Sequence, residues 1–315
     1  MIRGPFSALY GGNAMGGVIN IITRTPKKLE FLAKGTYGTY DALNNYIGAG
    51  YRFSDKVSIT VGFNQRESGG YPTSLVTKTA SDLTPATIRS ANRVVGWQSG
   101  TTTTGGATNY IGDTGNNTWN DINFNGKISW DIAPGHKLSF STLLSYYDYG
   151  YDMYRSYLMN YATGKYVTTG TWRMVGANTQ FSTLTEGAFL NGDGRNRTQV
   201  YNLQSEHAVT DTTKIKLHAG LVNQPENWYT TPSSTSAFTT FGGGPGQVSF
   251  TPSQNWVGEV QVDQAIGKKH QLVGGLSYNA GWASTQEYNL YNWRSPQSFI
   301  NFNSISAGRE RNIGA

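Results

Sequence analysis

The chain has 315 residues, of which 14% are charged and 13% aromatic, with 39 glycines, no cysteine and a formal net charge of +6. Disorder is excluded because it accompanies few aromatic residues and a high net charge. Disulfides and thiolate metal sites are excluded by the missing cysteine, and a helical bundle is disfavoured by the many glycines. No run of about 18 apolar residues could form a transmembrane helix. The remaining classes are a soluble all-β domain and an outer-membrane barrel.

The first distinctive segment covers residues 3–23, which begin RGPFSALYGG and end GGVINIIT. Pro5 fixes its own φ angle, and Gly11 can adopt the positive φ of a turn. The pair Gly16-Gly17 permits a tight turn or a close backbone approach, and the β-branched run 18–22 is typical of a buried strand. From the residues alone, this segment predicts packing and turn geometry and no chemistry.

Strict alternation of apolar and polar residues predicts strands along the rest of the chain. The clearest case is 119–132, where Ile122, Phe124, Ile128 and Trp130 occupy one face and polar residues the other. The same criterion predicts nine strands, at residues 29–37, 45–53, 57–64, 119–132, 137–149, 198–209, 214–221, 256–266 and 270–282.

The predicted connections alternate between short turns and long links. Turns at 53–56, 133–136, 210–213 and 267–269 contain the Gly, Pro, Asp and Ser residues that turns require, whereas the links 65–118, 150–197 and 224–255 are long. This alternation indicates an up-and-down meander, and in membrane barrels the short turns face the periplasm. A soluble sandwich also alternates, but such long loops are uncommon there. The aromatic residues near strand ends fit an interfacial girdle or a sandwich core, namely Phe53, Trp130, Trp256, Tyr278 and Trp282.

Candidate site residues are few. The four histidines show no HExxH spacing, and no GxSxG elbow or P-loop is present. We therefore expect no enzymatic activity, no catalytic, cofactor-binding or metal-ligating residue, and no cofactor. The basic residues do not cluster, so nucleic acid is not an expected partner. The candidate ligand contacts are aromatic residues of the long links: Trp97, Tyr151, Tyr154, Trp172, Trp228 and Tyr229.

Residues 3–23 resemble the end of the plug domain of TonB-dependent outer-membrane receptors, whose pattern there is RGP, three or four residues, LYG, a few small residues and GGVINIIT. The matching residues are Arg3, Gly4, Pro5, Leu9, Tyr10, Gly11, Gly16, Gly17, Val18, Ile19 and Asn20. The resemblance implies that residues 1–28 end a plug domain. It implies that residues 29–315 are the N-terminal portion of a transmembrane antiparallel up-and-down β-barrel, incomplete at about nine strands, with long extracellular loops.

The resemblance also implies a location and a function. The location is the outer membrane of a Gram-negative bacterium, with outer-membrane lipid and lipopolysaccharide as neighbours. The function is TonB-dependent uptake of a scarce ligand, of the ferric siderophore, haem or cobalamin class. Plugged barrels of this kind have about 22 strands, so we expect this chain to be a fragment of a receptor, with the targeting segment and the TonB box before Met1.

Two other functions stay open at this stage, a passive porin-like barrel and a soluble extracellular β-protein that binds glycans. Within the plug, Arg3 is expected to pair with a carboxylate of the polar lumen wall. The candidate partners are Asp121, Asp131, Glu206, Glu259 and Asp263.

Overall fold

The computed structural model describes residues 25–267 and 269–314, together with the backbone of residues 2–3 and 17–18. In this part of the chain there are 22 strands, one short α-helix and one 3-10 helix. In chain order they are β1 (Ile2–Arg3), β2 (Gly17–Val18), β3 (Glu30–Gly38), β4 (Ala42–Arg52), β5 (Val57–Ser68), β6 (Leu75–Lys78), β7 (Ser81–Asp82), α1 (Pro85–Arg89), β8 (Arg93–Val95), β9 (Gln98–Thr101), β10 (Ala107–Asp113), β11 (Asn117–Ala133), β12 (His136–Tyr151), β13 (Arg155–Ser156), β14 (Met159–Asn160), β15 (Gly170–Met174), β16 (Thr179–Leu184), the 3-10 helix (Glu186–Phe189), β17 (Gly194–Ala208), β18 (Thr213–Pro232), β19 (Gly246–Phe250), β20 (Ser253–Ile266), β21 (His270–Leu290) and β22 (Phe299–Gly314).

One large antiparallel sheet, which we call the wall, contains the long strands. Its members pair in the order β3, β4, β5, β11, β12, β17, β18, β20, β21 and β22. The short β19 continues the line of β20, because Val248 pairs with Thr230 of β18 on one side and with Tyr288 of β21 on the other. The wall is therefore an up-and-down meander with short turns at one end and long links at the other.

The two faces of the wall are inverted relative to a soluble protein, in which large apolar side chains are usually buried. On the apolar face, Ile128 is 47% exposed and Trp130 is 46% exposed, whereas Asp121 and Ser129 on the polar face are each 5% exposed. Register continues each face across the sheet, since Ile128 pairs with Phe140 and Phe140 pairs with Leu203. An apolar outer face and a polar inner face are the arrangement of a membrane-spanning β-barrel wall.

Two long links, 69–116 and 152–193, fold together at the long-loop end into what we call the loop subdomain. Its two small sheets both join strands from the two links, since β10 pairs with β13, and β8 pairs with β14 and β15. Its apolar core contains fully buried side chains, among them Val94, Ile111, Leu158, Phe181 and Phe189. This part of the molecule is therefore packed in the ordinary way of a soluble domain, unlike the wall.

All nine predicted strands are present, and the wall has one further long strand, β22, which the alternation did not predict. Its apolar face carries Arg309 and Arg311 between Ala307 and Ile313, so the alternation is interrupted. The third predicted long link, 224–255, was also too long, because β18 extends to Pro232 and β19 begins at Gly246.

Little of the N-terminal motif falls in the described residues. Residues Ile2 and Arg3 pair antiparallel with Val18 and Gly17, respectively. The rest of the motif, and the side chain of Arg3 with its predicted partner, lie outside the described residues, so the boundary at residue 28 stays a prediction. In the described part of the chain, no helix has the length and hydrophobicity needed to span a membrane.

Candidate functional site

A cleft of about 660 Å³ lies on the polar face of the wall at its long-loop end. We call it the aromatic cleft. Register explains its lining, because paired residues of antiparallel strands project on the same side. One row runs across five strands and contains Arg66, Asp121, Tyr147, Asn196 and Asn227. The next row toward the loops contains Trp119, Tyr149, Gly194 and Tyr229.

Two arginines line this cleft: Arg195, which is paired with Asp148 and Glu226, and Arg66, which is paired with Asp121. The Nε of Arg66 donates to Oδ2 of Asp121 at 3.0 Å, and the Nη2 group contacts the same oxygen. Asn123 donates its amide proton to the other carboxylate oxygen at 2.9 Å. The carboxylate side chain is only 7% exposed, whereas the arginine side chain is 49% exposed. The guanidinium therefore keeps donors directed to solvent, where it can bind an anionic or carbonyl-rich ligand.

The aromatic side chains form a continuous series. The ring centres of Trp119 and Tyr147 are 6.5 Å apart, those of Tyr147 and Tyr149 are 6.0 Å apart, and those of Tyr149 and Tyr151 are 6.5 Å apart. Burial raises the pKa of both Tyr147 and Tyr149 above the ordinary value of 10.0. Their hydroxyls are therefore protonated at neutral pH and can donate hydrogen bonds, while the rings supply flat apolar area.

Gly194 is needed for this packing. A Cβ atom at this position would collide with the ring of Tyr149, which covers the glycine from the neighbouring strand. The residue before it, Asp193, is held by Arg294, whose Nη1 lies 3.3 Å from Oδ2 of the carboxylate. Burial raises the pKa of Asp193, and the charge of Arg294 opposes that shift.

Arg294 also joins two outer loops to the start of β17. Its Nε donates to the carbonyl oxygen of Phe241 at 2.9 Å, and its guanidinium lies 4.4 Å from the ring centre of Phe241 and 4.3 Å from that of Trp293. Trp293 is 1% exposed, and its indole donates to the carbonyl oxygen of Thr240 at 3.1 Å. This contact set fixes the loops 233–245 and 291–298 beside the aromatic cleft.

The structure separates the six predicted ligand contacts into two groups. Trp228 and Tyr229 line the aromatic cleft, and Tyr151 contacts its rim through Tyr149. The other three pack on the core of the loop subdomain. The ring centres of Trp97 and Phe181 are 6.1 Å apart, and those of Tyr154 and Phe189 are 5.6 Å apart. Trp172 is partly buried against the same core. A ligand contact by any of the six stays a prediction.

Sequence reasoning missed Arg66, Trp119 and Asn196 as site residues. A signal for part of the cleft was present, because Tyr147, Tyr149 and Tyr151 recur at every second position and must share a face of a strand. Four of the five predicted wall carboxylates are now placed in ion pairs. Asp121 binds Arg66, Glu206 binds Lys214, Glu259 binds His218, and Asp263 binds Lys216.

No protein-family model matches the chain. Several solved structures share its fold, two of them with a TM-score of 0.55. The ferripyoverdine receptor of the outer membrane of Pseudomonas aeruginosa, bound to ferripyoverdine, is 10% identical with a TM-score of 0.55, over 99% of this chain and 37% of that chain. The FpvAI–pyocin S2 complex gives 10% identity and a TM-score of 0.55, over 99% of this chain and 38% of that chain.

This chain thus spans well under half the length of the receptors that it matches. The first of these two is a receptor of the outer membrane. Both the plug-like motif and the inverted faces of the wall agree with the structural match. The chain therefore has the fold of the TonB-dependent outer-membrane receptors.

Proposed function

We propose that this chain belongs to a receptor that takes up a scarce chelate or cofactor across the outer membrane, with energy supplied by the TonB complex. The observation that carries the proposal is the aromatic cleft, which is lined by five aromatic rings, four of them on the polar face of the wall, and by the half-exposed Arg66. A binding site of this kind needs no bond-making groups, in agreement with the absence of catalytic motifs from the sequence.

The lining of the cleft favours one ligand class among the three that the sequence suggests. Trp119, Tyr147, Tyr149 and Tyr229 offer flat apolar surface and protonated hydroxyls, and Arg66 offers charge-assisted donors. A ferric siderophore fits best, because such chelates combine planar or aromatic groups with anionic oxygen ligands. Haem, which is planar and carries carboxylates, is the second candidate, and cobalamin is the third. Outer-membrane lipid and lipopolysaccharide are the proposed neighbours of the apolar face.

The test is an uptake assay with the full-length protein in a host that lacks its own receptors. Cells are given radiolabelled iron as ferripyoverdine, as a catecholate chelate and as a hydroxamate chelate, with haem and labelled cobalamin in parallel. We expect uptake of one ligand, abolished by a protonophore and reduced at least tenfold by the Tyr147→Ala/Tyr149→Ala double variant. A Phe238→Ala variant is the matched control, because Phe238 is an aromatic residue 82% exposed in a loop and absent from the cleft lining.

Each alternative function predicts a different result. A passive porin-like barrel would give uptake that persists with the protonophore and scales with solute size. A soluble glycan-binding protein would remain monomeric in buffer without detergent and would be released with the soluble fraction. Uptake of none of the five ligands, with the protein present in the outer membrane, would contradict the proposed ligand class.

A further inference from the structure

Two histidines face each other across neighbouring strands at the short-turn end of the wall. His136, the first residue of β12, pairs directly with His207 near the end of β17. Their Nδ1 atoms lie 3.1 Å apart, and their ring centres are 5.4 Å apart. Sequence spacing could not reveal this pair, because 71 positions separate the two residues. The proposed transport function does not use it.

The separation of these nitrogens suits a metal ion. The contact requires one nitrogen that carries a proton and one with a free electron pair, and a metal ion competes with protons for the electron pairs of imidazole. With metal–nitrogen bonds of about 2.0–2.1 Å, two nitrogens on one ion are about 2.9 Å apart at a right angle and about 3.3 Å apart at the tetrahedral angle. The observed 3.1 Å lies between these values. A metal ion therefore fits in place of the shared proton after small rotations of the rings.

The backbone holds both histidines in place on either side of the pair. On the turn side, the amide of Ala208 donates to the carbonyl oxygen of Gly135 at 2.8 Å. Gly135 has a φ of 78°, and a Cβ atom there would approach the Cβ of Ala208 to 2.6 Å. On the strand side, Lys137 pairs with Glu206 in unbroken register. Because the two strands fix both histidines before an ion binds, little ordering is needed on binding.

The surroundings of the pair leave room for an ion and for water. On the same face, the neighbours in register are the uncharged residues Leu138, Ser205 and Ile215. His136 also lines a cleft of about 570 Å³, in which three carboxylates face two ammonium groups. These charged lining residues are Asp55, Asp131, Glu206, Lys56 and Lys137.

The pair supplies two protein ligands. In the described part of the chain, no group of three or more histidine, cysteine, aspartate or glutamate side chains could hold a metal ion. Water must therefore complete the coordination of an ion bound by His136 and His207, and the cleft beside His136 gives water access to it.

We propose that His136 and His207 bind one divalent transition-metal ion of the zinc–copper class. Imidazole is a preferred ligand of these ions, whereas Mg²⁺ and Ca²⁺ take oxygen ligands. The ion joins β12 to β17, so it stabilises the wall at the end opposite to the aromatic cleft. The inference does not depend on which ligand the receptor takes up.

The test uses the full-length protein, purified without a histidine tag and stripped of metal with a chelator. Equilibrium dialysis against Zn²⁺, followed by elemental analysis, gives the number of ions bound per chain and their affinity. His136→Gln and His207→Gln should each weaken the binding of one ion at least about tenfold, which is the loss that even an outer-shell partner of a metal ligand produces. His270→Gln is the matched control, because His270 is exposed at the start of β21 and pairs with Ile266.

Two further measurements distinguish a metal site from a pair that is only hydrogen-bonded. Cu²⁺ should give an electron paramagnetic resonance spectrum with coupling to two nitrogen atoms, and this signal should be missing from both variants. Zn²⁺ should raise the midpoint of thermal unfolding of the unaltered protein, because a ligand that binds only the folded state stabilises it. Circular dichroism checks that the variants keep their β structure.

Three results would overturn the proposal. The first is Zn²⁺ binding that is absent, or equal in the unaltered protein and in both variants. The second is a loss of binding in His270→Gln as large as that in His136→Gln. The third is a Cu²⁺ spectrum of the unaltered protein without coupling to two nitrogens, a result that is independent of whether the variants fold.

Discussion

The Nε proton of Arg66 is donated to Oδ2 of Asp121 at 3.0 Å, across the neighbouring strands β5 and β11. The pair is unequal, because the carboxylate is buried and the guanidinium is half-exposed. Because of this difference in burial, substituting Arg66 and substituting Asp121 should change the free energy of unfolding by different amounts.

The first prediction concerns this inequality. Arg66→Gln leaves a buried carboxylate without its cation and should lower the free energy of unfolding by about 2–3 kcal/mol. Asp121→Asn leaves a guanidinium that water can reach and should cost about 1 kcal/mol. Urea unfolding of the folded protein in lipid vesicles measures both. A larger loss for Asp121→Asn than for Arg66→Gln would contradict the burial on which the prediction depends.

The second prediction concerns the glycine beneath Tyr149. Gly194→Ala should displace the tyrosine ring and cost about 1–3 kcal/mol, as overpacking usually does, with a loss of ligand affinity because the ring lines the cleft. Gly258→Ala is the matched control, since a Cβ there meets no atom within 4 Å, and it should change stability by less than about 0.5 kcal/mol. Equal effects of the two alanines in unfolding and ligand titrations would contradict the proposed packing.

The third prediction follows from the raised pKa values of Tyr147 and Tyr149. A tyrosine whose pKa is higher in the folded state favours folding below its unfolded pKa of about 10, and that contribution is lost as the pH rises through the folded value. Stability should therefore fall above about pH 10. Absorbance at the phenolate band should show a late-titrating fraction that decreases in Tyr149→Phe. A variant with an unchanged late fraction would show that Tyr149 does not contribute to it.

The fourth prediction concerns the loops held by Arg294. Replacing it with Gln removes the ion pair with Asp193 and the contacts with Phe241 and Trp293, so the segment 233–245 should open. Limited proteolysis should then cut this segment at least several-fold faster than in the unaltered protein. Arg89→Gln is the matched control, because Arg89 is exposed at the end of α1. Equal cleavage rates in both variants would show that Arg294 does not hold the loop.

The strands of the wall were predictable because apolar and polar residues alternate along each of them in the sequence. Ile122, Phe124, Ile128 and Trp130 mark one strand without reference to any other part of the chain. β22 escaped the same criterion because Arg309 and Arg311 replace apolar residues on its apolar face.

The loop subdomain and the aromatic cleft could be predicted only in part. β8 is short and pairs with β14 and β15 far along the chain, so local periodicity carries no signal for it. For the same reason, Trp97 and Trp172 could be recognised as loop aromatics but not as residues of a packed core. In the cleft, the spacing of Tyr147 and Tyr149 indicates a common face, whereas the proximity of Arg66 depends on the register between β5 and β11.

Single-cysteine labelling tests the central claim most directly, because the chain has no native cysteine. Leu276→Cys lies on the apolar face and Asn196→Cys lines the aromatic cleft. In intact cells, we expect a charged membrane-impermeant maleimide to label Asn196→Cys, less so when the transported ligand is present, and to leave Leu276→Cys unlabelled until a lipophilic maleimide is used. Labelling of Leu276→Cys by the charged reagent, or labelling of Asn196→Cys that the ligand does not reduce, would contradict a lipid-facing apolar wall with a ligand cleft on its inner face.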